Sequence, residues 1–133
     1  MEEKNIVMPV VALRGLTVLP GMTIHFDVSR EKSVKAAEKA MVGDQRVFLT
    51  AQKDPEVEDP SIEQLYPIGT ASMVKQLVKM PGGVVRVMVE GMFRAELLCL
   101  DSEEPMLMGE IQILPPEKEN LDYLIKSDLI GET

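Results

Sequence analysis

Three features of the 133-residue sequence predict a mainly antiparallel, barrel-like β domain with one helix on its side. Short apolar or alternating runs recur along the chain. Turns rich in Pro and Gly separate them. Only one stretch before residue 115 places apolar residues at helical spacing with start and stop signals. About six to seven strands are expected on this reading.

Ile6 to Leu13 is apolar at successive positions, as in a strand buried on both faces. Arg14-Gly15 interrupts it, and Leu19-Pro20-Gly21 forms a turn in which Pro fixes φ and Gly permits a positive φ. Thr23 to Val28 then alternates. Ile24, Phe26 and Val28 face one way and Thr23, His25 and Asp27 the other, the pattern of a half-buried strand. Ser29 is the expected N-cap of a helix of about three turns, with Val34, Ala37 and Met41 as its buried stripe. Glu31 favours the helix dipole and pairs with Lys35 at i,i+4, and Gly43 ends the helix.

Arg46 to Ala51 reads as a short apolar strand. Gln52 to Tyr66, with Pro55, Pro60 and five acids, reads as a solvated loop. Ile68–Lys79 and Val84–Glu90 are expected to form a long hairpin, with Val85, Val87 and Val89 inside. It is joined by Met80-Pro81-Gly82-Gly83, where Pro-Gly fits a type II turn or a longer loop. Phe93 to Leu100 follows as a further strand, with Phe93, Ala95, Leu97 and Cys99 on one side. Asp101 to Pro105 turns the chain. Leu107, Gly109, Ile111 and Ile113 line a closing strand that Pro115-Pro116 ends. Residues 1–116 form the expected domain. Residues 117–133 form an acidic tail whose Leu121, Leu124, Ile125 and Leu129 lie at helical spacing; it can dock, begin a linker or stay free.

Composition narrows the function. The chain suits one domain, or one domain with a tail, and 45% hydrophobic with 27% charged residues fits a globular protein. The acidic MEEKN start is unlike a signal peptide and no apolar run approaches a membrane span. A single Cys fits a reducing compartment, so the cytoplasm is the expected location. A net charge of −8 and 4% aromatic residues disfavour nucleic acid, which rewards Lys, Arg and stacking platforms.

Catalytic groups are scarce. His25 is the sole histidine and falls on a polar strand face without an orienting partner. Cys99 alternates with apolar residues and reads as a small core side chain. One His and one Cys do not make a usual zinc site. Asp54, Glu56, Glu58 and Asp59 lack calcium-loop spacing, and no nucleotide-binding glycine motif occurs. No catalytic, metal or cofactor residue is therefore expected. Ten methionines are many for this length, and flexible thioethers suit surfaces that accept varied sequences. Met73, Met80 and Met88, near the hairpin, are candidates for such contacts. Glu31, Lys32 and Lys35, on the solvated side of the helix start, are candidates for client or inter-domain contact.

An ordered series of segments resembles the N-terminal domain of the ATP-dependent Lon protease family: LRGLTVLPGM (13–22), VSREKS (28–33), AQKDPEVEDP (51–60), LYPIGTASMVKQLVKMPGG (65–83) and VRVMVEGMFRAEL (85–97). The likeness spans about residues 6–115. It departs from the usual pattern at Ala12, where Pro is common, Leu19, where an aromatic is frequent, and Gly82, where Asp often stands. The resemblance implies a PUA-like pseudo-barrel of mostly antiparallel strands. It also implies a role in selecting unfolded, damaged or tagged proteins for a hexameric, ATP-driven serine protease of the bacterial cytoplasm. That family's motor, with ATP and Mg, and its Ser-Lys protease domain are absent from this sequence, so the resemblance implies a non-catalytic recognition module. The expected mechanism is weak, sequence-tolerant contact by apolar and Met side chains, multiplied by several copies in a hexamer, with the acidic surface disfavouring acidic clients. A stand-alone adaptor and a PUA-like nucleic-acid binder are the alternatives.

Overall fold

A computed structural model describes residues 6–115, and the expectation for residues 117–133 lies outside them. The described chain runs β1 (Ile6–Leu13), β2 (Thr23–Val28), α1 (Glu31–Val42), β3 (Arg46–Ala51), β4 (Ile68–Lys79), β5 (Val85–Ser102) and β6 (Met108–Ile113). Short 3₁₀ turns lie at Ile62–Gln64 and Pro81–Gly83.

There are six described strands, within the expected six to seven. Val85 to Ser102 is one continuous strand, because Gly91-Met92 bulges the chain without breaking it. The sheet order is β2-β5-β4-β3-β1-β6, and β5 also pairs with β6. The second pairing closes a ring of β1, β3, β4, β5 and β6, leaving β2 on the first half of β5. β1 with β3 is parallel and every other strand pairing is antiparallel. Register shifts at Ala71/Ser72, Val74/Gln76 and Leu97/Cys99 bend β4 and β5 enough to close the ring.

Two cores result. Met8, Val10, Ala12, Phe48, Ala95, Leu97 and Ile111 fill one. Val11, Leu13, Val47, Leu49, Val74 and the expected Val85, Val87 and Val89 pack with α1 in the other. Alternate residues of β1 and β3 thus serve opposite cores, which is why β1 is apolar throughout.

Three local expectations change, and the choice left open at the hairpin loop is decided. The helix N-cap is Arg30, not Ser29, and it makes no side-chain cap. The Arg30 guanidinium instead donates to Ala12 O at 2.8 Å and Glu58 O at 3.0 Å, so tertiary contacts position the helix start. The buried stripe is Ser33, Ala36, Ala37 and Ala40. Small residues face the sheet and let the helix approach it, while Val34 and Met41 flank them half-buried. The hairpin loop is the longer form: Lys79 pairs with Val85, Met80 N–H donates to Val84 O at 2.7 Å, and Gly82 and Gly83 both sit at φ 79°. Finally, the run from Gln52 to Tyr66 is solvated only in part. Its acids are exposed, but Gln52, Pro60 and Leu65 are buried, and Gln52 pairs with Leu65 in a β-bridge.

The alternation expected from Phe93 to Cys99 fails at both ends. Ala95 and Leu97 are buried, but Phe93 and Cys99 are exposed. An extra residue at Leu98 shifts the phase of the strand relative to β6 and turns Cys99 outward. Phe93 keeps the register of Ala95 and is simply left uncovered.

Candidate functional site: an apolar groove beside the first turn

The Leu19-Pro20-Gly21 turn forms as expected, with Gly21 at φ 88° and Met22 N–H donating to Leu19 O at 3.0 Å. It is fastened to β5: Gly21 N–H donates to Gly91 O at 2.9 Å, and Gly91 N–H donates to Met22 O at 2.8 Å. Just before the turn, Val18 is buried and its carbonyl accepts a hydrogen bond from Thr70 Oγ1. On the opposite side, Thr50 Oγ1 donates to Tyr66 O at 2.6 Å, and Tyr66 N–H donates to Ala51 O at 3.0 Å. These bonds tie segment 13–19 to Thr70 and segment 66–70 to the end of β3, fixing the positions of both.

Between them lies a groove of about 260 Å³ lined by Leu16, Leu19, Leu49, Tyr66, Ile68 and Arg94, among others. Its apolar groups are open to solvent: Leu19 is 46% exposed, Tyr66 48% and Ile68 38%. Met92 and Phe93, the latter 53% exposed, lie in sequence between Gly91, which carries the turn, and Arg94, which lines the groove. Lys53 Nζ stands 6.0 Å from the centre of the Tyr66 ring, a long cation–π contact. The arrangement suits an apolar side chain of a partner, and its described lining holds no Ser, Cys, His, Asp or Glu.

The other candidates lie elsewhere. Glu31, Lys32 and Lys35 line a polar cleft of about 470 Å³ between the start of α1, the acidic loop and the turn at Pro105. Its charges are largely satisfied within the chain. Lys32 Nζ lies 3.0 Å from Asp59 Oδ1 and 3.2 Å from Glu104 Oε2, and the expected Lys35–Glu31 pair closes at 3.2 Å. The hydrogen bond to Asp59, aided by that to Glu104, raises the Lys32 pKa despite some desolvation.

Met73, Met80 and Met88 are half-buried along the hairpin and line neither the groove nor that cleft. Met88 borders a depression of about 240 Å³ with His25, Gln76, Val78 and Arg86. His25 is exposed there, opposite Met88 across the strand pair. Cys99 comes within 4.8 Å of Asp101 and Glu110. Desolvation, then Glu110 and Asp101, push its thiol pKa up, which disfavours the thiolate that metal binding or nucleophilic attack needs.

Sequence reasoning missed the groove because its walls come from four separated segments with no common period. The available signals were Tyr66 and Ile68 around Pro67 after an acidic loop, and an aliphatic Leu19 in a surface turn.

The sequence matches the family model described as "ATP-dependent protease La (LON) substrate-binding domain" over residues 7–129. The chain belongs to that family. Lon protease of Halothermothrix orenii is 51% identical over 125 residues, covering 94% of this chain and 16% of the relative. Lon protease of Lachnoclostridium phytofermentans is 46% identical over 121 residues, covering 91% of this chain and 15% of the relative. That of Clostridium acetobutylicum is 42% identical over 127 residues, with 96% and 16% covered. The chain therefore spans about one sixth of the length of the curated relatives it matches.

Two solved structures share the fold of this Lon domain. The N-terminal domain of Mycobacterium avium complex Lon protease superposes with a TM-score of 0.65 at 18% identity, covering 96% of this chain and 70% of that one. The Lon N-terminal domain protein from Xanthomonas campestris gives 0.61 at 16% identity, with 94% and 74% covered. The mainly β architecture with one helix is thus that of Lon N-terminal domains. Among the described residues no helix is long and apolar enough to cross a membrane.

Proposed function

We propose that this Lon substrate-binding domain captures exposed apolar segments of unfolded or damaged polypeptides in the groove between Leu19 and Ile68, and hands them to a protease. The observation that carries this reading is the set of solvent-open apolar side chains, Leu19, Tyr66 and Ile68, around a concave surface. Large apolar groups left exposed around a cavity mark interaction sites more often than isolated ones do. The domain itself breaks no bond. In this reading ATP hydrolysis, with Mg, and peptide cleavage by a Ser-Lys dyad belong to a parent protease of the bacterial cytoplasm; the relatives' name, Lon protease, supports a protease as the parent.

A single groove of this size gives weak binding, and a hexameric parent would multiply it through effective concentration. The half-buried Met73, Met80 and Met88 form a second, adaptable surface on the hairpin. Glu31, Lys32 and Lys35 shape the cleft at the helix start, where a neighbouring domain or a passing client can exchange partners with their ion pairs.

The test is a titration of the chain with a reduced, carbamidomethylated protein that stays unfolded, followed by amide NMR. Shifts confined to residues around Leu19, Ile68, Thr70 and Arg94, weakened several-fold by Leu19→Ser with Ile68→Ser, support the reading. Unmoved peaks at saturating client, or shifts restricted to the hairpin, overturn the groove assignment.

A further inference from the structure

The cations at the groove are placed unlike those elsewhere on the described surface. Every described lysine and arginine except Lys39, Lys53 and Arg94 lies within ion-pairing distance of a carboxylate or donates to backbone carbonyls. Lys39 is in the last turn of α1, where a cation meets the negative end of the helix dipole. The remaining two are at the groove: Arg94 lines it, and Lys53 stands over the ring of Tyr66, which also lines it. In a chain with 22 acids and 14 bases, partners for a cation are plentiful. Among the described residues neither of these two has a carboxylate partner, which leaves their charge available to a ligand.

Resting on the groove reading above, we infer that the groove selects extended segments in which an apolar side chain lies within two residues of an Asp or Glu. The apolar group enters among Leu16, Leu19 and Ile68, and the neighbouring carboxylate meets Arg94 or Lys53. An extended chain rises about 3.3 Å per residue, so one or two residues carry a carboxylate from the groove to its rim. Arg94 favours this partner through its fork of donors. Lys53 and Arg94 are exposed, so the pair gives a modest, salt-sensitive preference and not a strong anchor. Strongly acidic segments are still repelled by the net charge of −8. The preference is therefore for one or two acids beside an apolar residue, not for acidity in general.

Three fluorescein-labelled peptides of twelve residues test this, identical except for a residue two positions from a central Phe: Asp, Asn or Lys. At low salt the Asp peptide should bind the whole 133-residue chain about fivefold more tightly than the Asn peptide, and the Lys peptide more weakly than either. High salt should erase the difference. In the double variant Arg94→Gln, Lys53→Gln the ratio of Asp to Asn affinity should fall to about one, whatever the absolute affinities, while Arg94→Lys retains part of it. Equal binding of the Asp and Asn peptides to the unaltered chain overturns the inference and leaves the groove reading standing. A preference that survives the double variant overturns the assignment to Arg94 and Lys53. Failure of all three peptides to bind sinks the groove reading and this inference together.

Discussion

Gly91 has no room for a side chain, because the carbonyl oxygen of Leu19 occupies the space where a Cβ would sit. The obstacle is backbone, and the same turn is bonded to Gly91 through both its N–H and its C=O. Gly91→Ala must therefore push the turn off β5. It is expected to cost about 1–3 kcal/mol, as overpacking does, read as a lower urea midpoint at unchanged slope. Because Leu19 moves with the turn, binding of unfolded clients should weaken as well. Unchanged stability would show that the turn is not pressed onto the strand.

Thr70 ties the other wall. It is buried, and its hydroxyl donates to Val18 O from the far side of the groove. Thr70→Val keeps the shape but leaves that carbonyl without its donor, an expected loss of roughly 1–3 kcal/mol. Thr70→Ser retains the bond and should lose less. Equal stability of the two variants in urea denaturation would contradict the role assigned to the hydroxyl.

Lys32 bridges two loops that neither pair with nor follow one another, through Asp59 and Glu104. Each carboxylate is well exposed, so the pairs should contribute at most about 1 kcal/mol apiece. Lys32→Met should barely change the unfolding midpoint. It should speed amide exchange in residues 55–60 and 102–104, since the loops lose a shared anchor. The triple variant Glu31→Ala, Lys32→Ala, Lys35→Ala in a full-length enzyme is expected to alter client degradation with the fold intact. Degradation at the normal rate would end the contact role proposed for these side chains.

Asp27 and Arg86 form an exposed pair across β2 and β5, with Arg86 Nε 2.8 Å from Asp27 Oδ1. That hydrogen bond, and secondarily the guanidinium charge, hold the Asp27 carboxyl below its ordinary value of 3.8. A depressed folded pKa means that the contribution to stability is complete above 3.8 and is lost as pH falls through the lower folded value. Arg86→Gln should move the Asp27 carboxyl titration, followed by carbon-13 NMR, upward toward 3.8. An unmoved titration would mean that the pair does not persist in solution.

Much of the fold was legible because local pattern and local structure share a period. β1, β2, β3 and β4 and the end of the helix fall where apolar runs, alternation and Gly place them. Doubly apolar β1 was read correctly as buried on both sides because Val10 and Ala12 enter one core while Val11 and Leu13 enter the other. The helix face was read about one residue out of phase. Large apolar residues dominate a hydrophobic pattern, yet here small Ala36, Ala37 and Ala40 make the closest approach. Cys99 was misplaced because a bulge adds a residue at Leu98, and alternation carries no mark of where a strand will bulge.

By itself, the sequence determined the strand-rich class, the turns, the single helix and membership of a family whose segments recur in order. Those depend on neighbours within a few residues, where backbone geometry repeats. Among the described residues, tertiary structure alone decided which apolar side chains stay uncovered and which cations lack a carboxylate. Leu19, Tyr66, Ile68 and Arg94 become one surface when the ring closes through β5 and β6 and the first turn docks on Gly91. Exposure is a property of what a distant segment fails to cover, and no local period encodes it.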